Sequence, residues 1–300
     1  MRLKFSLVLL IIILALPAMA QQPSFLAEDA GSKYWIRTDV VYGVETGHEN
    51  KLDVIYPHNA TADVPAVIYI HGGGWIFGDK AGSVLEVLPY LQMGWAAVNV
   101  EYRMANVAKA PAAVEDCRCA LRWIVRNAKD YHIDPARLVV TGHSAGGHLS
   151  LMTGMLNDTD GLDNDCAGDG KEPEPRIAAI VNWYGPTDVG DLLGGKNRRN
   201  YALAWFGSLQ NKTEIARLVS PLSYVRKTNP PIITIHGDSD DVVPYDHSVR
   251  LHQALDKAGV PNLLYTVKGG GHGQFADADN RKAYDAIREF LAKHNLRPVK

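Results

Sequence analysis

Apolar and polar positions along the 300-residue chain follow two alternating rhythms. Short apolar runs rich in β-branched residues recur at "VPAVIYI" (64–70), "WAAVNVEY" (95–102), "RLVVTG" (137–142), "IAAIVNWYG" (177–185), "PIITIHG" (231–237) and "NLLYTVKG" (262–269). Each has the length and composition of a strand buried on both faces. Between them the spacing becomes helical. Val114, Cys117, Leu121 and Ile124 share one face over 111–129, Leu251, Leu255 and Ala258 lead up to Gly259, and Tyr284, Ile287 and Leu291 mark a last helix over about 276–294. Alternating strands and helices predict an α/β fold with a mostly parallel sheet and helices on both faces. "TDVVYG" and "KLDVIYP" alternate more strictly and read as an antiparallel pair on one edge.

Two segments break the rhythm. Residues 157–175 are acidic and glycine-rich, and residues 186–230 form a long connection with a short helix around 201–206. A connection of that length in a compact domain predicts a lid or a substrate wall. With no internal repeat and no linker, residues 21–300 read as one domain.

The first twenty residues, "MRLKFSLVLLIIILALPAMA", join a positive start, an apolar run and a small-x-small triplet. That is the layout of a signal peptide cut before Gln21, with an apolar run too short to span a bilayer. A secreted or periplasmic protein with no stable membrane association is expected. Cleavage removes 20 of 300 residues, leaving 280, and shifts the net charge from −2 to −4 as Arg2 and Lys4 leave. No basic stripe is present, so nucleic acid is not an expected partner. Of the three cysteines, Cys117 and Cys119 sit two apart on a predicted helix and face different ways, so either could pair with Cys166. Nothing spaces the cysteines as zinc ligands, and no metal or cofactor is expected. Asp163, Asp165, Gly168 and Glu174 fall at positions 1, 3, 6 and 12 of a calcium loop, but Ala167 occupies position 5 and no helix pair flanks it. A solvated acidic loop is the better reading.

The candidate chemistry lies in "GHSAG" (142–146), which follows a strand and opens a helical stretch. Such a strand–turn–helix thrusts Ser144 out at a strand end, above the partial positive charge of a helix N-terminus. A serine hydroxyl needs a base. His143 leaves the tight turn in another direction and His148 lies one helical turn deeper, so neither is suited. His272, in the glycines after the last strand, is placed at the same sheet edge as Ser144. An acid after the preceding strand would hold the imidazole, and Asp240 is preferred over Asp238 and Asp241 by its position before "VVP". "HGGGW" (71–75) follows another strand, where the Gly73 and Gly74 amides, with that of Ala145, could form an oxyanion hole. His71 reads as a brace for that loop.

Together "HGGGW", "EYRMA", "GHSAGGHLS", "WYGPTDV", "HGDSDDVVP" and "GGGHG" resemble the α/β-hydrolase esterases of the hormone-sensitive-lipase-like branch, nearest to bacterial acetyl and feruloyl carbohydrate esterases. His143 stands where the lipase-like members carry aspartate, and little chain precedes His71 to form their helical cap. The resemblance implies a Ser144–Asp240–His272 triad, an oxyanion hole of Gly73, Gly74 and Ala145, and pocket walls from Trp75, Tyr102, Trp183 and Tyr184. It also implies a serine carboxylesterase acting on small-molecule or polysaccharide esters. A prolyl-oligopeptidase-type peptidase would share the triad order, and an inactive binding protein is the remaining alternative.

Overall fold

The computed structural model describes residues 30–299, other than 165, 167 and 169–173. The predicted cleavage site before Gln21 lies outside the described residues. Eight strands form one sheet: β1 (Tyr34–Glu45), β2 (His48–Pro57), β3 (Val64–Ile70), β4 (Ala96–Val100), β5 (Ile133–His143), β6 (Ala179–Trp183), β7 (Ile232–Gly237) and β8 (Asn262–Val267). Their spatial order is β1-β2-β4-β3-β5-β6-β7-β8. β1 and β2 pair antiparallel at one edge and β2 meets β4 antiparallel, while every pairing from β4 to β8 is parallel. This is the α/β-hydrolase fold.

Six helices matter for the site: α1 (Ala112–Asn127), α2 (Ala145–Met155), α3 (Asn200–Phe206), α4 (Lys212–Leu218), α5 (Asp246–Ala258) and α6 (Asp277–Lys293). The two-residue period of β3 sorts its side chains between two cores. Ile68 and Ile70 join Leu121, Leu149, Met152, Leu251 and Leu255 from α1, α2 and α5. Val67 and Tyr69 join Tyr90 and Leu91, with Ile287, Phe290 and Leu291 from α6. A strand buried on both faces favours apolar residues at most positions, which is why β3, β4, β6 and β7 read as nearly continuous apolar runs.

Residues 186–230 are built as a packed wall. Trp205 of α3 is fully buried and stacks on Trp75 with centroids 4.2 Å apart. Arg199 donates to the carbonyls of Asp241 (3.0 Å) and Val242 (2.8 Å), tying this segment to the loop after β7.

The acidic segment is pinned to α1. Cys119 is joined to Cys166, while Cys117 points inward and is buried. Fully buried Arg118 donates to Asp163 and to the carbonyls of Thr153 (3.2 Å) and Leu156 (3.1 Å). Arg122 adds a second charge on Asp163 at 3.0 Å. The carboxylate at the first position of the calcium-loop pattern is therefore occupied by two guanidinium groups; Asp165 lies outside the described residues. The bridge closes a 47-residue loop, which limits the unfolded chain by about 4 kcal/mol in the loop-entropy account. Cys119→Ser should lower the melting temperature by roughly 10 °C at about 2–4 °C per kcal/mol, measured by calorimetry.

Candidate active site

β5 ends in a turn that few side chains tolerate. Ser144 has φ 56° and ψ −119°, a backbone conformation that normally belongs to glycine. The turn is held because the Ser144 N–H donates to the Trp183 carbonyl at 2.9 Å and its own carbonyl accepts from His148 N at 3.0 Å, opening α2. The glycines around it are needed for close approach. A β-carbon on Gly146 would collide with the carbonyls of Ile70 and His71, and one on Gly72 would stand 2.7 Å from the His143 carbonyl oxygen. The "HGGGW" loop thus lies directly against the turn.

The half-buried Ser144 Oγ is 2.8 Å from His272 Nε2, and His272 Nδ1 is 2.7 Å from Asp240 Oδ2. Residues 144, 240 and 272 meet at the C-terminal ends of β5, β7 and β8, where open parallel sheets place their ligands. Asp240 is fixed from all sides: its Oδ1 accepts from the amides of Val242 and Val243, each at 2.8 Å. Its Oδ2 also accepts from His236 Nε2 at 3.1 Å. Burial alone would raise the Asp240 pKa. The hydrogen bonds from His236 and His272, with the His272 charge, outweigh burial and hold the carboxyl well below the usual carboxylate range. Asp238 instead accepts from the Gly269 amide at 2.6 Å and organises the neighbouring turn.

Gly73 and Gly74 have φ 111° and 59°, left-handed values that suit glycine. Among the described residues, no acceptor takes the Gly73, Gly74 or Ala145 N–H. The loop carrying the first two is braced by His71, whose Nδ1 meets the Gly72 carbonyl at 2.8 Å and whose Nε2 meets Glu101 at 3.1 Å. Tyr102 stacks on His71 at 4.3 Å and donates to its carbonyl at 3.2 Å.

His143 and His148 stand apart from the serine hydroxyl. His148 is fully buried, accepts from Trp75 Nε1 at 3.2 Å and so donates through Nε2 to the Val219 carbonyl at 2.7 Å. Burial pushes its pKa down to about 4. His143 turns the other way, to Tyr69, whose hydroxyl lies 2.8 Å from its Nδ1. Burial, then the His272 charge, pushes His143 down to about 4.

Beside the triad opens a pocket of about 470 Å³, with Tyr69, Glu86, His143, Trp183, Tyr184 and Tyr284 among its lining residues. Two of the four aromatics expected as walls do not border it. Trp75 is 0% exposed and Tyr102 1% exposed. Trp75 packs between His148, Trp205 and Tyr201, while Tyr102 supports the glycine loop. Both are therefore corrected from wall to core, because each polar tip is satisfied inside the protein.

The BD-FAE family model matches residues 52–255, more than half of the chain and all of the strands from β3 to β7. The chain belongs to the BD-FAE family. Among relatives, it is similar to the esterase LipQ of Mycobacterium tuberculosis, at 26% identity over 85% of this chain and 61% of LipQ. The chain thus spans less than two thirds of that relative's length. Among solved structures it resembles a truncated form of a carbohydrate esterase from gut microbiota, with TM-score 0.75, 28% identity and coverage of 90% of this chain and 99% of that one. It also resembles a bifunctional GH43-CE protein of Bacteroides eggerthii, with TM-score 0.74, 29% identity and coverage of 86% and 38%. The family's fold and the resemblance to carbohydrate esterases expected from the motifs are as found.

His236 escaped the sequence reading. It is the penultimate residue of β7, is fully buried, and has Nδ1 2.6 Å from Ser248 Oγ. The signal was present: a histidine at a strand end, four residues before the acid. His236→Asn removes a hydrogen bond to a charged group, worth about 1.5–3 kcal/mol. The expected result is a roughly tenfold to hundredfold fall in kcat for 4-nitrophenyl acetate with little change in KM, checked by steady-state kinetics.

Proposed function

We propose that this protein is a serine carboxylic-ester hydrolase that removes acetyl or feruloyl groups from plant polysaccharide after export from the cytoplasm. The observation that carries the reading is the hydrogen-bonded chain from Ser144 through His272 to Asp240. Membership of the BD-FAE family and likeness to esterases support it. In the first step His272 Nε2 takes the Ser144 proton as Oγ bonds to the ester carbonyl carbon. The carbonyl π pair moves onto oxygen, which the Gly73, Gly74 and Ala145 amides stabilise at the positively polarised start of α2. The tetrahedral centre collapses, the bond to the alcohol oxygen breaks, and His272 gives that oxygen its proton. Water then repeats the sequence on the acyl-serine and releases the acid.

The leader-like first twenty residues and the Cys119–Cys166 bridge both suit an oxidising compartment. The connection at 186–230 carries only two short α-helices, α3 and α4, of seven residues each, which favours bulky, solvent-borne substrates over long lipid chains.

The test is a panel of 4-nitrophenyl acetate, butyrate and feruloyl esters, acetylated xylan and an aminoacyl anilide. Turnover of acetyl or feruloyl esters with acid release from the polysaccharide is expected. Faster turnover of the anilide would transfer the assignment to peptidases. Amino-terminal sequencing of the exported protein should begin at Gln21.

A further inference from the structure

The pocket beside the triad adjoins the His272 imidazole. His272 delivers a proton to the departing oxygen, so the alcohol must lie next to its imidazole. Gly273 and Phe275 follow His272 in the chain, and the Tyr184 ring packs 4.7 Å from the imidazole; all three line the pocket. Its volume of about 470 Å³ is within the range of small-ligand sites.

Among its lining residues, His143 Nε2 and Glu86 Oε2 are 4.0 Å apart. That is too far for a direct hydrogen bond. A single hydroxyl oxygen about 2.8 Å from each would subtend an angle of roughly 90°, a workable arrangement for one donor and one acceptor contact. The proton inventory fits. Burial and the Glu86 charge raise the Tyr69 pKa, so the phenol keeps its proton and donates it to His143 Nδ1. His143 is held neutral by burial, which leaves its single N–H on Nε2, facing Glu86. A hydroxyl placed there would accept from Nε2–H and donate to the carboxylate. The Tyr184 and Tyr284 rings offer apolar faces for ring C–H groups alongside. One hydroxyl clamped between two polar groups, with aromatic faces beside it, suits a sugar ring better than an alkyl alcohol.

We propose that Glu86 and His143 form a hydroxyl-recognising subsite for the sugar ring that carries the scissile ester. The proposal rests on the ester-hydrolase reading. Glu86 is a specificity residue that touches the alcohol portion of the substrate.

The experiment compares kcat/KM for a mono-acetylated methyl xyloside with that for 4-nitrophenyl acetate, in wild type, Glu86→Ala and Glu86→Gln. The ratio of the two should fall about tenfold to hundredfold in Glu86→Ala, through KM, and recover in part in Glu86→Gln, which retains an acceptor oxygen. An unchanged ratio in Glu86→Ala overturns the proposal. A change confined to feruloyl against acetyl selectivity overturns it too, by placing the acyl group in the pocket. Binding of methyl xyloside to Ser144→Ala, followed by saturation-transfer NMR, reads the subsite without turnover. Binding that is lost in Ser144→Ala/Glu86→Ala supports the subsite, and no binding to Ser144→Ala counts against it. Failure of wild type on every ester would sink the hydrolase reading alone, while the NMR result still decides the subsite.

Discussion

Ser144→Ala is expected to lower turnover of 4-nitrophenyl acetate by about 10⁴-fold or more while leaving the fold intact. Both halves of that outcome follow from the turn. The hydroxyl has one strong partner, His272 at 2.8 Å, and its removal leaves the imidazole half-exposed and able to meet water. Alanine keeps the β-carbon, so the cost of φ 56° and ψ −119° is already present in the native protein. Strain of this kind costs about 1–3 kcal/mol. Ser144→Gly should be equally inactive yet more stable than Ser144→Ala by about 1 kcal/mol, the relief of strain being offset in part by the extra freedom of unfolded glycine. Chemical denaturation of the two variants side by side checks the difference.

Asp240→Asn carries the second large effect, a fall in kcat of about 10⁴-fold. The carboxylate fixes which imidazole nitrogen holds the proton: with Nδ1–H directed at Oδ2, Nε2 is free to accept from Ser144. An amide can present its N–H₂ instead and trap the wrong tautomer. The same substitution changes the pH dependence of stability. The folded-state pKa of Asp240 is depressed, because hydrogen bonds from two histidines and two amides outweigh burial. A depressed carboxyl contributes stability that is fully present above its unfolded value, near pH 4, and is lost as pH falls through the lower folded value. Asp240→Asn should therefore be less stable at neutral pH and show a flatter loss of stability below pH 4, measured by urea unfolding across that range. Between pH 5 and 9 the Asp240 charge itself should not titrate.

Much of this architecture is legible in the residues because parallel strands buried on both faces are mostly apolar, with only isolated polar positions such as Asn99, Asn182 and Thr234. "VPAVIYI" and "PIITIHG" mark β3 and β7 to within one residue. The placement of 144, 240 and 272 at one sheet edge follows from the same strand ends. Side-chain direction was harder to read. Trp75 and Tyr102 follow strands and could equally have faced a substrate; long-range partners, Trp205 from residue 205 and His71 from the opposite loop, drew them inward. The choice between Cys117 and Cys119 was open because helical geometry says only that they diverge. The inner one packs in the core and the outer one meets Cys166. His236 was masked by its own strand, since a buried polar residue reads as apolar filler until its partners are known. Asp163, read as part of a solvated acidic loop, is instead buried, because its two arginine partners lie 41 and 45 residues away in the sequence.

The central claim is that Ser144 is a nucleophile activated by His272. Peptide mass spectrometry after treatment with a fluorophosphonate tests it most directly. The account predicts one stoichiometric adduct on Ser144, formed in step with loss of ester hydrolysis and suppressed by His272→Ala. Full hydrolysis surviving without an adduct, or an adduct on another residue that alone tracks the loss, would contradict it.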